Sequence, residues 1–174
     1  MAILKIITAP DPLLLKTSAI VETVDEDIKT LAKNMIETMY HSAGIGLAAV
    51  QVGVLKRIIV IDVDYRLDKH GNAINKNPCV YINPVITYST QKLRDYNEGC
   101  LSVPGEHIVV TRPTEIELDY VDIDGKNQSL KASWLLATCV QHEIDHLNGK
   151  TIISYASALK QNMMLKRLKK LKGM

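Results

Sequence analysis

The sequence predicts an α+β fold in which antiparallel strands surround a central buried helix, with a further helix at the C-terminus. Three observations lead there. A series of β-rich runs separated by turn residues fills the middle of the chain, and Asp124-Gly125 joins two of them as a tight hairpin. Residues 134–147 carry apolar side chains almost all the way round at helical spacing, the pattern of a buried helix. With 174 residues, 47% of them hydrophobic, the chain fits one domain spanning 1–174 with a core of its own.

The elements follow in chain order. Residues 25–41 form a helix, because Ile28, Leu31, Ala32, Met35 and Met39 share one face and Asp25, Glu26 and Asp27 favour its N-terminus. Next, in "GIGLAAVQ" (44–51), Gly44, Gly46 and Ala49 match G-x-G-x-x-G/A, and Asp62 and Asp64 lie roughly where a ribose-binding acid would stand. A dinucleotide site needs a strand before the glycines and a helix after, so that the pyrophosphate sits on the helix N-terminus. Here a helix precedes and the β-branched run "RIIVIDV" (57–63) follows, which rejects that reading. Residues 65–78 form an extended loop. "CVYINP", "PVITYS", "HIVVTRP", "TEIELDYVD" and "NQSLKA" are strands. Ser133 is placed to cap the helix over 134–147, and Gly149 closes it. In 159–174, Met164, Leu168 and Leu171 at i, i+4 and i+7 make a narrow apolar stripe, leaving Lys166, Arg167, Lys169, Lys170 and Lys172 to solvent.

Composition narrows the function. No apolar run is long enough for a bilayer, and the first residues lack the basic, apolar and small-residue order of a secretion signal, so a soluble cytoplasmic protein without membrane contact is expected. Three scattered cysteines make a poor disulfide framework and suit a reducing compartment, with Cys79 read as core. Charge is segregated: none of the 19 acids lies beyond residue 145, whereas six basic residues crowd the stretch after 159. Such a cluster attracts phosphate, so a polyanion is the expected partner of the tail.

The buried helix holds the chemistry. His142 and His146 stand one turn apart on one face, so both imidazoles can reach a single ion, and Glu143 beside them can reach a water on that ion. Buried ionisable groups are costly unless paired or bound to metal. Residues 147–174 contain no Asp, Glu, His or Cys, so a third ligand must come from upstream. Cys139 lies about 10.5 Å along the axis from His146, too far to share the ion, and is read as a buried wall residue. Cys100, in "NEGCLSVPG", is the candidate, with Gly99 allowing close backbone approach. A Cys-His-His set leaves one position open, the mark of a catalytic site. Gln51 is the one polar side chain of "GIGLAAVQ": either an oxyanion donor or a buried, satisfied amide. Asp145 either supports a ligand histidine or, the preferred reading, pairs with Arg112.

Together "GIGLAAVQ", "EGCLSVP" and "QHEIDHLNG" resemble the three signature motifs of the peptide deformylases, and "APDPLL", "RIIVIDV", "INP" and the Asp-Gly hairpin extend the resemblance over nearly the whole chain. It implies hydrolysis of the formyl group from N-formylmethionyl peptides. It also implies that Cys100, His142 and His146 hold the metal, that Glu143 is the general acid/base, and that Gln51 with the Leu101 backbone N–H forms the oxyanion hole. Gly44, Ile45, Gly46 and Glu98 would border the peptide, and Leu135 and Cys139 would wall a methionine pocket. Fe²⁺ is the implied ion in the cell, with Zn²⁺, Ni²⁺ or Co²⁺ suiting the same donors. The resemblance further implies docking of the C-terminal helix on the ribosome. Leu15 and His107 stand where many members carry arginine. An H-E-x-x-H metallopeptidase is the alternative reading.

Overall fold

The computed structural model describes residues 2–173; Met1 and Met174, the ends of the expected domain, lie outside the described residues. Three helices and three antiparallel sheets are formed among the described residues. Helix α1 is Glu26–His41, and the Asp25 carboxylate caps it by accepting the Ile28 N–H. Strands β1 (Gly46–Ala48), β2 (Ile58–Ile61), β3 (Arg66–Leu67), β4 (Ala73–Ile74) and β5 (Cys79–Ser89) follow. After them come β6 (Leu93–Gly99), β7 (His107–Pro113), β8 (Glu115–Val121) and β9 (Asn127–Ser133). Helix α2 is Trp134–Leu147 and α3 is Ala158–Leu171. The main sheet runs β1-β2-β5-β8-β9; β3-β4 and β6-β7 are two-stranded ribbons.

Strand β2 explains why Ile58–Ile61, the centre of "RIIVIDV", is apolar throughout. Ile58 and Val60 point into a core shared with Met35 and Met39 of α1, while Ile59 and Ile61 point into a core shared with Val140 and Ile144 of α2. A sheet with a helix on each face has no wet side, so alternation disappears. The acids that follow are structural. Asp62 accepts the Tyr40 hydroxyl at 2.5 Å and the N–H groups of Asp64, Tyr65 and Asn77, which anchors both ends of the 65–78 segment.

Several expectations are corrected. "CVYINP" and "PVITYS" are one strand, β5, whose register shifts on β8 between Ile82 and Val85. Asn83 sits there at φ +52°, and its amide exchanges two hydrogen bonds with the Val21 backbone. The 65–78 loop contains the β3-β4 ribbon. Strand β6 was not expected, since charged residues interrupt its apolar pattern; its inward positions are Arg94, Tyr96 and Glu98. Cys79 is exposed rather than core. Ser133 occupies the N-cap position of α2 but makes no side-chain capping bond, and Trp134 is 58% exposed, so the first turn of α2 emerges from the core.

On α3, Met164 and Leu168 are buried against Val103, Ile108 and Ile152, whereas Leu171 is exposed and takes no part in the docking stripe. Two of the cations assigned to solvent are engaged: Arg167 pairs with Glu106, and Lys172 Nζ donates to the Thr8 carbonyl. No helix among the described residues is long and apolar enough to cross a membrane.

Candidate metal centre

From Ala137 to Ile144 every residue of α2 is buried, and within that stretch and the next turn lie His142, Glu143 and His146. Helical spacing brings the two imidazoles edge to face, with ring centroids 5.1 Å apart. Cys100 follows the end of β6 and reaches them from a different segment: its Sγ lies 3.1 Å from His146 Nε2. One donor atom from each of Cys100, His142 and His146 falls within 4.8 Å of the others. A thiolate and two imidazoles so placed could hold one divalent ion.

The surroundings orient these donors. Glu98 Oε2 lies 2.8 Å from His142 Nδ1, which turns the other ring nitrogen toward the cluster. The same carboxylate is gripped by Arg112, at 2.5 Å from Nε to Oε1 and 3.0 Å from Nη2 to Oε2. Arg112 Nη1 also donates to Asp145 at 2.9 Å, and Asp145 accepts the Tyr155 hydroxyl at 2.7 Å. Asp145 therefore makes the ion pair that was preferred for it. Glu98 lines the cleft, but its oxygens face Arg112 and His142 rather than a peptide.

Electrostatics agrees with a cation at the cluster. Burial opposes a charge on His142, but the Cys100 sulfur and Glu98 outweigh it and raise its proton affinity well above the ordinary imidazole value. Burial pushes His146 well below its usual value and keeps it neutral, with His142 and Arg112 acting in the same direction. Burial also pushes the Glu143 carboxyl up to about 7. Glu143 Oε2 and His146 Nδ1 are buried without a hydrogen-bond partner among the described residues. Leaving such atoms bare costs about 1–3 kcal/mol each; the bare Glu143 Oε2 fits a centre built for a polar ligand, whereas His146 Nδ1 is the ring nitrogen other than the one facing Cys100.

The cluster opens onto a cleft of about 460 Å³. Gly44, Ile45, Gly46, Gln51, Glu98, Gly99, Cys100, Leu101, Leu135, Cys139, His142 and Glu143 all line it. His146 lies beneath them, 1% exposed. Gly46 must lack a side chain, because a Cβ there would stand 2.7 Å from Cys139 Sγ and closer still to Glu143 Oε1. Gln51 is a buried amide with a partner at each end. Its Oε1 accepts the Ala48 N–H at 2.7 Å, and its Nε2 donates to Ser102 Oγ at 3.1 Å and lies 3.7 Å from Cys100 Sγ. Cys139 is the buried wall residue expected, its thiol pushed up by burial. Leu15 lies outside the cleft, at 66% exposure. Tyr96, Thr138 and Glu106 line the cleft without having been singled out in the sequence. Tyr96 was hidden by the unrecognised strand β6, and Thr138, one turn before His142, was legible from helical spacing.

Fold and site together define an α+β protein with a candidate metal centre of one thiol and two imidazoles. The sequence matches the family model for polypeptide deformylase over residues 3–162. It is 49% identical over 170 residues to the peptide deformylase of Rhizobium meliloti (strain 1021), covering 98% of this chain and 94% of that protein. To the peptide deformylase of Pelagibacter ubique (strain HTCC1062) it is 46% identical over 173 residues, covering 99% and 97%. The crystal structure of peptide deformylase from Ehrlichia chaffeensis in complex with actinonin superposes with a TM-score of 0.90 at 41% identity, over 100% of both chains. That of a peptide deformylase from Legionella pneumophila gives 0.88 at 42% identity, over 98% and 96%. The chain belongs to the polypeptide deformylase family.

Proposed function

We propose that this chain works as one catalytic domain, a metal-dependent amide hydrolase that removes the formyl group from the N-terminal formylmethionine of newly made polypeptides and releases formate. The observation that carries the reading is the Cys100, His142 and His146 donor set within 4.8 Å, with the buried Glu143 beside it in an open cleft. In this reading α2 is the central helix of the fold and its H-E-x-x-H motif is the metal-binding one. Those three residues would hold one divalent ion, which when bound supplies Lewis acidity and makes a water acidic enough to attack at neutral pH. Fe²⁺ is the ion proposed for the cell; Zn²⁺, Ni²⁺ and Co²⁺ suit the same donors.

The chain's own residues do the rest. Glu143 accepts the proton of the attacking water and passes it to the leaving amine nitrogen. The Gln51 amide and the Leu101 backbone N–H donate to the formyl oxygen as charge develops on it. Gly44, Ile45, Gly46 and Gly99 offer bare backbone to the peptide, and Leu135, Cys139, Tyr96 and Thr138 surround an uncharged, unbranched first side chain. The exposed Lys166, Lys169 and Lys170 of α3 support docking on the ribosome in the cytoplasm, with binding that weakens as salt rises.

Glu143→Ala tests the assignment. The variant should retain a full complement of metal while formate release from formyl-Met-Ala falls by about 10²–10⁴-fold, the usual worth of a positioned acid/base. Wild-type turnover in the variant would remove Glu143 from the mechanism. Cutting of unformylated peptides by the intact protein would favour the metallopeptidase alternative.

A further inference from the structure

The cleft has a rim, Val103 to His107, that begins three residues after Cys100. A tight turn and the end of the β6-β7 ladder tie it to Cys100: Val103 N–H donates to the Cys100 carbonyl at 2.9 Å, Glu106 N–H to the Val103 carbonyl at 3.3 Å, Gly105 bends the chain at φ +76°, and His107 pairs with Gly99. Helix α3 holds the outer side of this rim. Arg167 donates from Nε to Glu106 Oε1 at 2.5 Å and from Nη2 to Oε2 at 2.8 Å, a two-point grip that fixes both position and orientation. Lys160 Nζ reaches the carbonyl of the next residue, His107, at 3.5 Å. Beneath these polar contacts Met164 and Leu168 pack in one cluster with Val103 and Ile108, and Cys100 lies against the same cluster.

The two partners differ in exposure. The Glu106 side chain is 12% exposed and lines the cleft, whereas that of Arg167 is 51% exposed and approaches from outside. Without Arg167, an acid facing the cleft would have no counter-charge in this contact, and the turn would lose its two-point hold.

We propose that Arg167 is a positioning residue for the substrate cleft: by gripping Glu106 it sets the Val103–His107 rim, which bears on the peptide beyond its first residue. The inference rests on the deformylase reading, in which α2 takes the first side chain and leaves the rim for the chain that follows. Because the rim stands apart from the reacting atoms, its displacement weakens the binding of ground state and transition state alike. That raises KM and leaves kcat in place.

The test compares the metal-loaded full chain with Arg167→Ala, Glu106→Gln and the exchanged pair Glu106→Arg with Arg167→Glu. For each, kcat and KM are measured with formyl-Met-Ala-Ser, and calorimetry gives the Kd of the product peptide Met-Ala-Ser. In both single variants KM and Kd should rise about 5–20-fold with kcat within about twofold, a loss of uniform binding. The exchanged pair should recover most of that loss, as coupled neighbours do. Wild-type KM should climb toward that of Arg167→Ala as salt screens the exposed pair. Wild-type KM and Kd in both single variants would overturn the proposal. So would kcat falling together with the melting temperature and no recovery in the exchanged pair, since that describes a mere prop. A wild type that binds Met-Ala-Ser yet releases no formate would sink the deformylase reading, while the Kd comparison would still decide the role of Arg167.

Discussion

Two arginine–glutamate pairs brace the segment that carries Cys100, and their hydrogen bonds are nearly the same. Arg112 grips Glu98 at 2.5 and 3.0 Å; Arg167 grips Glu106 at 2.5 and 2.8 Å. What separates them is water. The side chains of the first pair are 7% and 3% exposed, those of the second 51% and 12%. The buried pair belongs to a chain of contacts from His142 through Glu98, Arg112 and Asp145 to Tyr155, so no member can lose its partner without stranding another charge. The exposed pair can be opened and rehydrated at small cost. One geometry is thus a lock when dry and an adjustable clip when wet. The lock sits beside a metal-ligand candidate and the clip at the cleft rim.

Carboxylate titration tells the same story. Burial pushes Glu98 up, but hydrogen bonds from His142 and Arg112 outweigh it and hold the carboxyl below the usual range. Glu106 is lowered too, chiefly by its bond to Arg167, which outweighs the opposing effect of burial.

The comparison can be broken at several points. Arg112→Ala should have the largest effect, about 3–5 kcal/mol of unfolding free energy, because Glu98 and Asp145 are left in the interior uncompensated. Urea unfolding measures it, and a change as small as that of a surface pair would end the distinction between lock and clip. Leu168→Ala removes α3 packing without touching its charge, and a fully buried leucine should cost about 2–5 kcal/mol. If the urea midpoint did not move, α3 would not be docked as described. Arg167→Ala should leave the midpoint nearly unchanged at moderate salt, and whatever difference remains should vanish at high salt. The smallest effect concerns pH. Glu106 has a folded pKa below its unfolded value, so its contribution is present above about pH 4.3 and disappears as pH falls through the folded value. Glu106→Gln should therefore lose slightly less stability than wild type on acidification, and identical acid limbs would mean that the pair contributes nothing to folding.

Much of the site was legible because its information is local. The i, i+4 spacing of His142 and His146 inside an apolar surround requires a buried, two-imidazole helix face wherever that helix goes, and Asp25 before Ile28 requires a helix start. The β-branched run "RIIVIDV" likewise marked a strand, although not that both of its faces would be covered. The same local logic failed where burial was ionic. Strand β6 turns Arg94, Tyr96 and Glu98 inward, and without their partners these look like a wet loop. Leu171 continued the stripe of Met164 and Leu168 by spacing, yet it stands exposed.

The sequence by itself determined the donor types, the helix that presents two of them and the bare glycine backbone facing them, because backbone sterics and side-chain periodicity act over a few residues. Only the tertiary structure decided that Cys100 meets His146 across 46 residues, that Glu98 belongs to His142 and Arg112, and that the basic tail returns to grip Glu106. Those contacts arise from which apolar faces bury one another. A charge finds its partner only after that packing has brought distant segments together and removed the water between them.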